Sequence, residues 1–219
     1  TDTWTTDLNM PTPRRYLAAA ADNGKIYAMG GYGADSYFKT FEIYDPATNT
    51  WTPGADMPTA RRYLAAVAVN DMIYAIGGYG TGGVLNTVEI YDPATDTWTT
   101  GADMPSRRWG LAAVAVDGKI YAMGGGYGTG GYLNTVEIYD PATNMWTADP
   151  DMPTARVDLA ATAVNGRIYA IGGRYGTGGG NPGVALNTLE IYNPATNTWT
   201  TGPDMPTARF GLASATIDG

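Results

Sequence analysis

The sequence predicts an all-β propeller built from repeated four-stranded blades, and three observations predict it. A phrase of 47 to 53 residues is written four times: the tryptophans that close successive copies stand at Trp4, Trp51, Trp98, Trp146 and Trp199. A double glycine recurs in step with them, at Gly30-Gly31, Gly77-Gly78, Gly124-Gly125 and Gly172-Gly173. Within each copy, turn residues divide the chain into four short runs of strand-forming residues. Four short antiparallel strands per repeat make one propeller blade.

The second copy shows the elements in order. Its first strand is predicted from Arg62 to Val69, a run dominated by alanine and valine. Asn70-Asp71 follows, replaced in the other copies by Asn23-Gly24, Asp117-Gly118 and Asn165-Gly166. Such pairs favour the tight primed turns of hairpins. The second strand begins at Met72 and ends in the double glycine. A glycine-rich loop leads to the third strand, TVEIYDP, and a turn around Pro93 leads to the fourth, TWTT around Trp98. Small residues suit the crowded strand nearest the propeller axis. Tyr74, Ile90, Tyr91 and Trp98 suit the widening wedge further out, so the tryptophan column reads as packing between blades.

The blades are placed at about 14–53, 61–100, 108–148 and 156–201. Residues 1–7 then hold a lone outer strand (Thr3 to Thr6) and 208–219 a lone inner strand (Phe210 to Ile217), both parts of an incomplete closing blade. The sequence is accordingly expected to be a window on a larger ring of five or more blades. The competing expectation is a 219-residue protein with loose terminal strands, whose exposed edges would invite association with another chain.

Composition removes several function classes. Net charge is −8, against the basic surface that nucleic-acid binding requires. No apolar run approaches the roughly 18 residues of a membrane span, so no direct insertion of this segment is expected. With no Cys and no His, thiolate chemistry, Ser-His-Asp chemistry and zinc hydrolysis all lose an essential part. No cofactor, metal site or catalytic residue is expected. The lack of Cys, the acidic balance and the abundance of Thr and Gly suit an exported or cell-surface bacterial protein; a cytoplasmic adaptor violates none of them.

The double glycine after IYAIGG, the tyrosine of EIYDP, the tryptophan some residues later and the arginine before the first strand resemble the kelch-repeat family, over essentially the whole chain. The resemblance implies a β-propeller with one repeat per blade, and for most such domains a platform for protein interaction. The family also includes galactose-oxidase-like copper enzymes, whose site needs His ligands and a Tyr-Cys cofactor that this sequence cannot supply.

Strand alternation puts the loop between second and third strands on the same face as the link from each blade to the next. Length variation sits there: Gly126 is extra in the third copy, and the fourth carries six extra residues between Arg174 and Thr188. Insertions in repeat arrays tend to mark the binding face. Eight of the ten arginines lie just after the Met-Pro of the links, which suits an acidic partner. Arg14, Arg61, Arg108, Arg156 and Arg209 occupy one repeated slot, and Glu42, Glu89, Glu137 and Glu190 another. These columns read either as structural ion pairs or as a binding ring at the pore mouth. Asp56, Asp103, Asp151 and Asp204 compete as partners for the arginines.

Function is sought where the repeat breaks. The slot after the repeated arginine reads Arg15, Arg62, Trp109, Val157, Phe210, and the next reads Tyr16, Tyr63, Gly110, Asp158, Gly211. Tyr37 and Phe38, Tyr132, and Arg174 belong to the loops of the same face. The predicted binding residues are therefore Arg15, Tyr16, Tyr37, Phe38, Arg62, Tyr63, Trp109, Tyr132, Asp158, Arg174 and Phe210. The first reading is a non-catalytic scaffold module that docks a protein partner or acidic segment there, as a subunit of a larger assembly. The alternatives are a carbohydrate-binding propeller, or an enzyme acting on acidic sugars through Asp158.

Overall fold

The computed structural model describes residues 6–128, 131–176 and 183–216. The described chain forms four antiparallel four-stranded sheets, each with its strands in sequence order from the axis outward. Blade I consists of Ala18–Asp22, Lys25–Met29, Phe41–Asp45 and Thr50–Pro53. Blade II consists of Ala65–Val69, Met72–Ile76, Val88–Asp92 and Thr97–Thr100. Blade III is Ala112–Val116, Lys119–Met123, Val136–Asp140 and Met145–Asp149, and blade IV is Ala160–Val164, Arg167–Ile171, Leu189–Asn193 and Thr198–Thr201. Alanines and valines of the four innermost strands, with Thr162 and Thr216, line a central channel of about 310 Å³.

The hairpin turns follow the residue types. Asn23, Asn70, Asp71, Asp117 and Asn165 all take positive φ between 47° and 61°. Asn and Asp tolerate that region better than other side chains. The first strand is shorter than its sequence suggests. It opens at Ala65 rather than Arg62, because Tyr63 turns left-handed (φ 55°) and Arg61–Arg62 pairs separately with Tyr79–Gly80. The glycine-rich loops also contain paired structure, such as Tyr32–Gly33 against Ser36–Tyr37.

Most of Thr3 to Thr6 lies outside the described residues, and Thr6 is not in a strand. The C-terminal segment takes the inner place beside blade IV, where Ser214 Oγ donates to the carbonyl of Ala161 at 3.1 Å. It carries no ladder over its described residues. In every blade the inner strand is bonded only to the second strand of its own sheet, and no second strand stands beside this segment among the described residues.

The core lies between blades rather than within them. Tyr27, Met29 and Phe41 of blade I meet Leu64, Ile73, Ala75 and Tyr91 of blade II, with Trp98 against their edge. Equivalent clusters join blades II and III through Tyr74, Met104 and Tyr139, and blades III and IV through Tyr121, Met152 and Tyr192. The tryptophans that close blades I to IV also bond backward: Trp51 Nε1 donates to the carbonyl of Leu8, Trp98 Nε1 to that of Ala55 at 2.7 Å, Trp146 Nε1 to that of Ala102 at 2.8 Å and Trp199 Nε1 to that of Pro150.

The turns before the fourth strands are clasps between blades. Asn144 Oδ1 accepts from the amide of Ala102 at 2.7 Å and from the hydroxyl of Tyr139 at 2.7 Å. Asp96 does the same with Ala55 and Tyr91. Tyr139→Phe is therefore expected to lower stability by roughly 0.5–1.5 kcal/mol, the net value of one such bond, read from the urea midpoint at unchanged m-value.

Candidate binding face

Four of the five repeated arginines are structural, and the fifth, Arg209, is exposed. Arg61, Arg108 and Arg156 are fully buried, and the Arg14 side chain is too. Each meets the glutamate of its own blade: Arg14–Glu42 at 2.8 Å, Arg61–Glu89 at 2.5 Å, Arg108–Glu137 at 2.9 Å and Arg156–Glu190 at 2.7 Å. These four do not form a ring open to ligand, and among the described residues no aspartate before Met-Pro makes an ion pair with them; Asp56 pairs instead with exposed Lys39 at 3.4 Å. The charge available on the face comes from Arg209 and from the arginines outside that column.

The next two slots build the pore mouth. Tyr16, Tyr63, Gly110, Asp158 and Gly211 share a left-handed conformation, with φ from 54° to 62°. A chain of backbone bonds joins them across blades. The amide of Tyr63 donates to Tyr16, that of Gly110 to Tyr63, that of Asp158 to Gly110 and that of Gly211 to Asp158, at 2.8–2.9 Å. Tyrosine in this region costs on the order of 1 kcal/mol or more, a strain that tends to persist at functional sites. Just before this kink, each blade link bridges to its own glycine loop: Arg15 to Tyr32, Trp109 to Gly126 and Val157 to Arg174, with Arg62 strand-paired to Tyr79.

These bridges gather the predicted residues into two groups. On blades I and II the Arg62 guanidinium lies over Tyr32 at 4.7 Å, Tyr37 and Tyr63 at 5.3 Å, Tyr79 at 5.8 Å and Tyr16 at 6.0 Å. Arg15 lies over Tyr32 and Tyr16 at 5.4 and 5.5 Å. Tyr16 and Tyr63 stack at 4.2 Å, and burial together with a hydrogen bond to Tyr16 pushes the Tyr63 hydroxyl well above its usual pKa. On blades III and IV, Arg174 lies over Phe210 at 5.1 Å, Trp109 at 5.8 Å and Tyr132 at 6.0 Å. It also bonds Asp158 at 2.9 Å. Burial raises the Asp158 carboxyl, and Arg174 pulls it back.

Between the two groups lies a cavity of about 520 Å³, lined by Tyr16, Tyr63, Gly110, Asp158, Arg174 and Phe210 above a ring of leucines. Phe38 stands apart. Its amide donates to Gly31 in the slot that Leu85, Leu133 and Leu186 fill in the other blades, and its ring lies against Gly33. Tyr32 and Tyr79 belong to the first group although sequence reasoning passed over them. The signal was in the slot after the double glycine, which reads Tyr32, Tyr79, Gly126, Arg174.

Residues 1–125 match the KLHDC2/KLHL20/DRC7 Kelch-repeats domain, and residues 107–153 and 155–206 each match the Kelch motif. The chain belongs to the kelch-repeat family. Kelch propellers are commonly used for protein binding, although a propeller alone does not fix its function. The kelch fold is shared with a solved structure titled "Structure of YjhT", at TM-score 0.78 and 19% identity, over 93% of this chain and 69% of that one. No curated protein matches the chain.

Proposed function

We propose that this kelch propeller is a non-catalytic docking module whose pore-mouth cavity, on the face of blade links and glycine loops, receives a segment of a protein partner. The observation that carries the reading is the convergence of the repeat-breaking residues on one cavity. Tyr16, Tyr63, Asp158, Arg174 and Phe210 differ from blade to blade, yet line a single space of about 520 Å³. Aromatic rings and arginine are the usual anchors of interfaces. Phe210 is 53% exposed and Tyr16 42%, so both offer area for a partner to cover. Asp158 is the only carboxylate among the lining residues, and Arg174 holds it. Acid–base work on a bound substrate would need it released.

Arg174→Ala is expected to weaken binding of a selected peptide ligand by roughly ten-fold or more, through loss of a charged anchor and release of Asp158. A peptide display library panned on the protein supplies the ligand, and calorimetry reads the loss. Glycan-array binding abolished by Trp109→Ala, with no peptide selected, would replace this reading with a carbohydrate-binding one. Turnover of a sugar substrate that disappears in Asp158→Asn would replace it with an enzyme.

A further inference from the structure

The two halves of the pore mouth differ in charge. On blades III and IV, Arg174 is answered by Asp158 at 2.9 Å. On blades I and II, Arg15 and Arg62 have no carboxylate partner among the described residues. Both guanidiniums lie within 6.0 Å of the same two rings, Tyr16 and Tyr32, so two positive charges share one patch of a protein whose net charge is −8. Blade building does not explain the patch. The corresponding slots of blades III and IV hold Trp109 and Val157 in place of the arginines, and Gly126 and Arg174 in place of the tyrosines.

We infer that this half of the face receives a phosphomonoester carried by the partner's segment, with Arg15 and Arg62 as its cations; the inference rests on the reading of the same face as a docking surface. A guanidinium held face-on to an aromatic ring keeps its in-plane N–H donors available for hydrogen bonds. One carboxylate is matched by one arginine. A phosphomonoester carries about −1.5 to −2 at neutral pH and three acceptor oxygens, which matches two guanidiniums set side by side.

The test compares two degenerate peptide pools, one centred on phosphoserine and phosphotyrosine and the other on the unmodified residues, with a third centred on glutamate. Wild-type protein is expected to prefer the phosphorylated pool by roughly ten-fold or more, the effect of a few charge-assisted bonds. Arg15→Gln/Arg62→Gln should abolish that preference, whereas Arg174→Gln should lower binding of all three pools and leave the preference intact. An unchanged urea midpoint confirms that the double variant is folded, and Arg62→Lys, which keeps charge but loses the planar fork, should retain part of the preference. Equal binding of phosphorylated and glutamate pools overturns the inference, because a single negative charge then suffices. Pools that bind without any preference leave the docking reading standing and overturn this one. If inorganic phosphate shifts tyrosine resonances in an Arg62-dependent way but no pool binds, the docking reading has failed and the protein-borne source is overturned in favour of a free phosphate.

Discussion

Arg108→Ala is expected to destabilise the protein by about 3–5 kcal/mol, the cost of stranding one member of a buried ion pair. Arg108 has no exposed side-chain surface, and that of Glu137 is 7% exposed. The guanidinium donates to the carbonyls of Gly124 and Thr135 at 3.0 and 3.1 Å and to Thr135 Oγ1 at 3.0 Å, besides its contact with Glu137. Ser106 Oγ donates to Glu137 Oε1 at 2.6 Å. Burial disfavours the arginine's charge and Glu137 offsets that penalty, so neither group is at ease without the other. Truncation leaves a carboxylate with one hydroxyl donor and strips the Gly124 carbonyl of its donor, while the Thr135 carbonyl keeps only the amide of Gly124. A marginal protein has only about 5–15 kcal/mol to lose, so the urea midpoint should fall steeply. Arg108→Met/Glu137→Leu removes both charges and should cost much less than Arg108→Ala alone, since apolar replacements of buried pairs are often near neutral. A loss under about 1 kcal/mol in Arg108→Ala would mean that the arginine column is not structural.

Architecture was legible because the same instructions are repeated four times. Small residues near the axis, Asn-Gly turns and a closing tryptophan each act over a few residues, where local chemistry decides. The arginine and glutamate columns were visible too, but their meaning was not: a recurring charge suits a buried pair or an open ring equally well. Only the three-dimensional approach of Arg61 to Glu89, with no exposed guanidinium surface, separates these readings. Residues of the variable slots behind that column meet others of the same face in space, as Asp158 does Arg174 and Arg62 does Tyr63. Their grouping into two halves was hidden because it depends on the bridge between each link and its glycine loop. That bridge brings Tyr32 and Tyr79 inward, and it explains the fate of their counterparts. Gly126 and Arg174 occupy the bridging slot in blades III and IV, so Tyr127 and Tyr175 fall one place later and are about half exposed, at 49% and 48%. The tyrosines themselves do not signal the left-handed turn at Tyr16 and Tyr63; the signal lies in the other copies, whose slot holds Gly110, Asp158 and Gly211. The turn is imposed by the crossing from link to inner strand and held by bonds to neighbouring blades.

Gly124→Ala is expected to be nearly as damaging as loss of Arg108, at roughly 3 kcal/mol or more, for a reason confined to the backbone. Gly124 has φ 64°, and a Cβ there would stand 2.6 Å from the carbonyl oxygen of Arg156 in the next blade. That oxygen already accepts the amide of Gly125 at 2.8 Å, so it cannot retreat without breaking an inter-blade bond. Nor can the glycine retreat, since its own carbonyl holds Arg108 at 3.0 Å. The substitution therefore works on the seam between blades III and IV and on the buried pair of blade III together. Gly118→Ala is the control. It has φ 74° in a hairpin turn, but nothing lies within 4 Å of the added carbon. Alanine there should cost only the left-handed penalty, about 1–2 kcal/mol. The difference between the two variants measures the closeness of the blades, free of the conformational cost they share. Equal losses would place the whole demand for glycine in the sign of φ, and the tight seam would then have no part in why every blade carries the pair. A loss at Gly124 well beyond the left-handed penalty read at Gly118 is the result expected from this geometry.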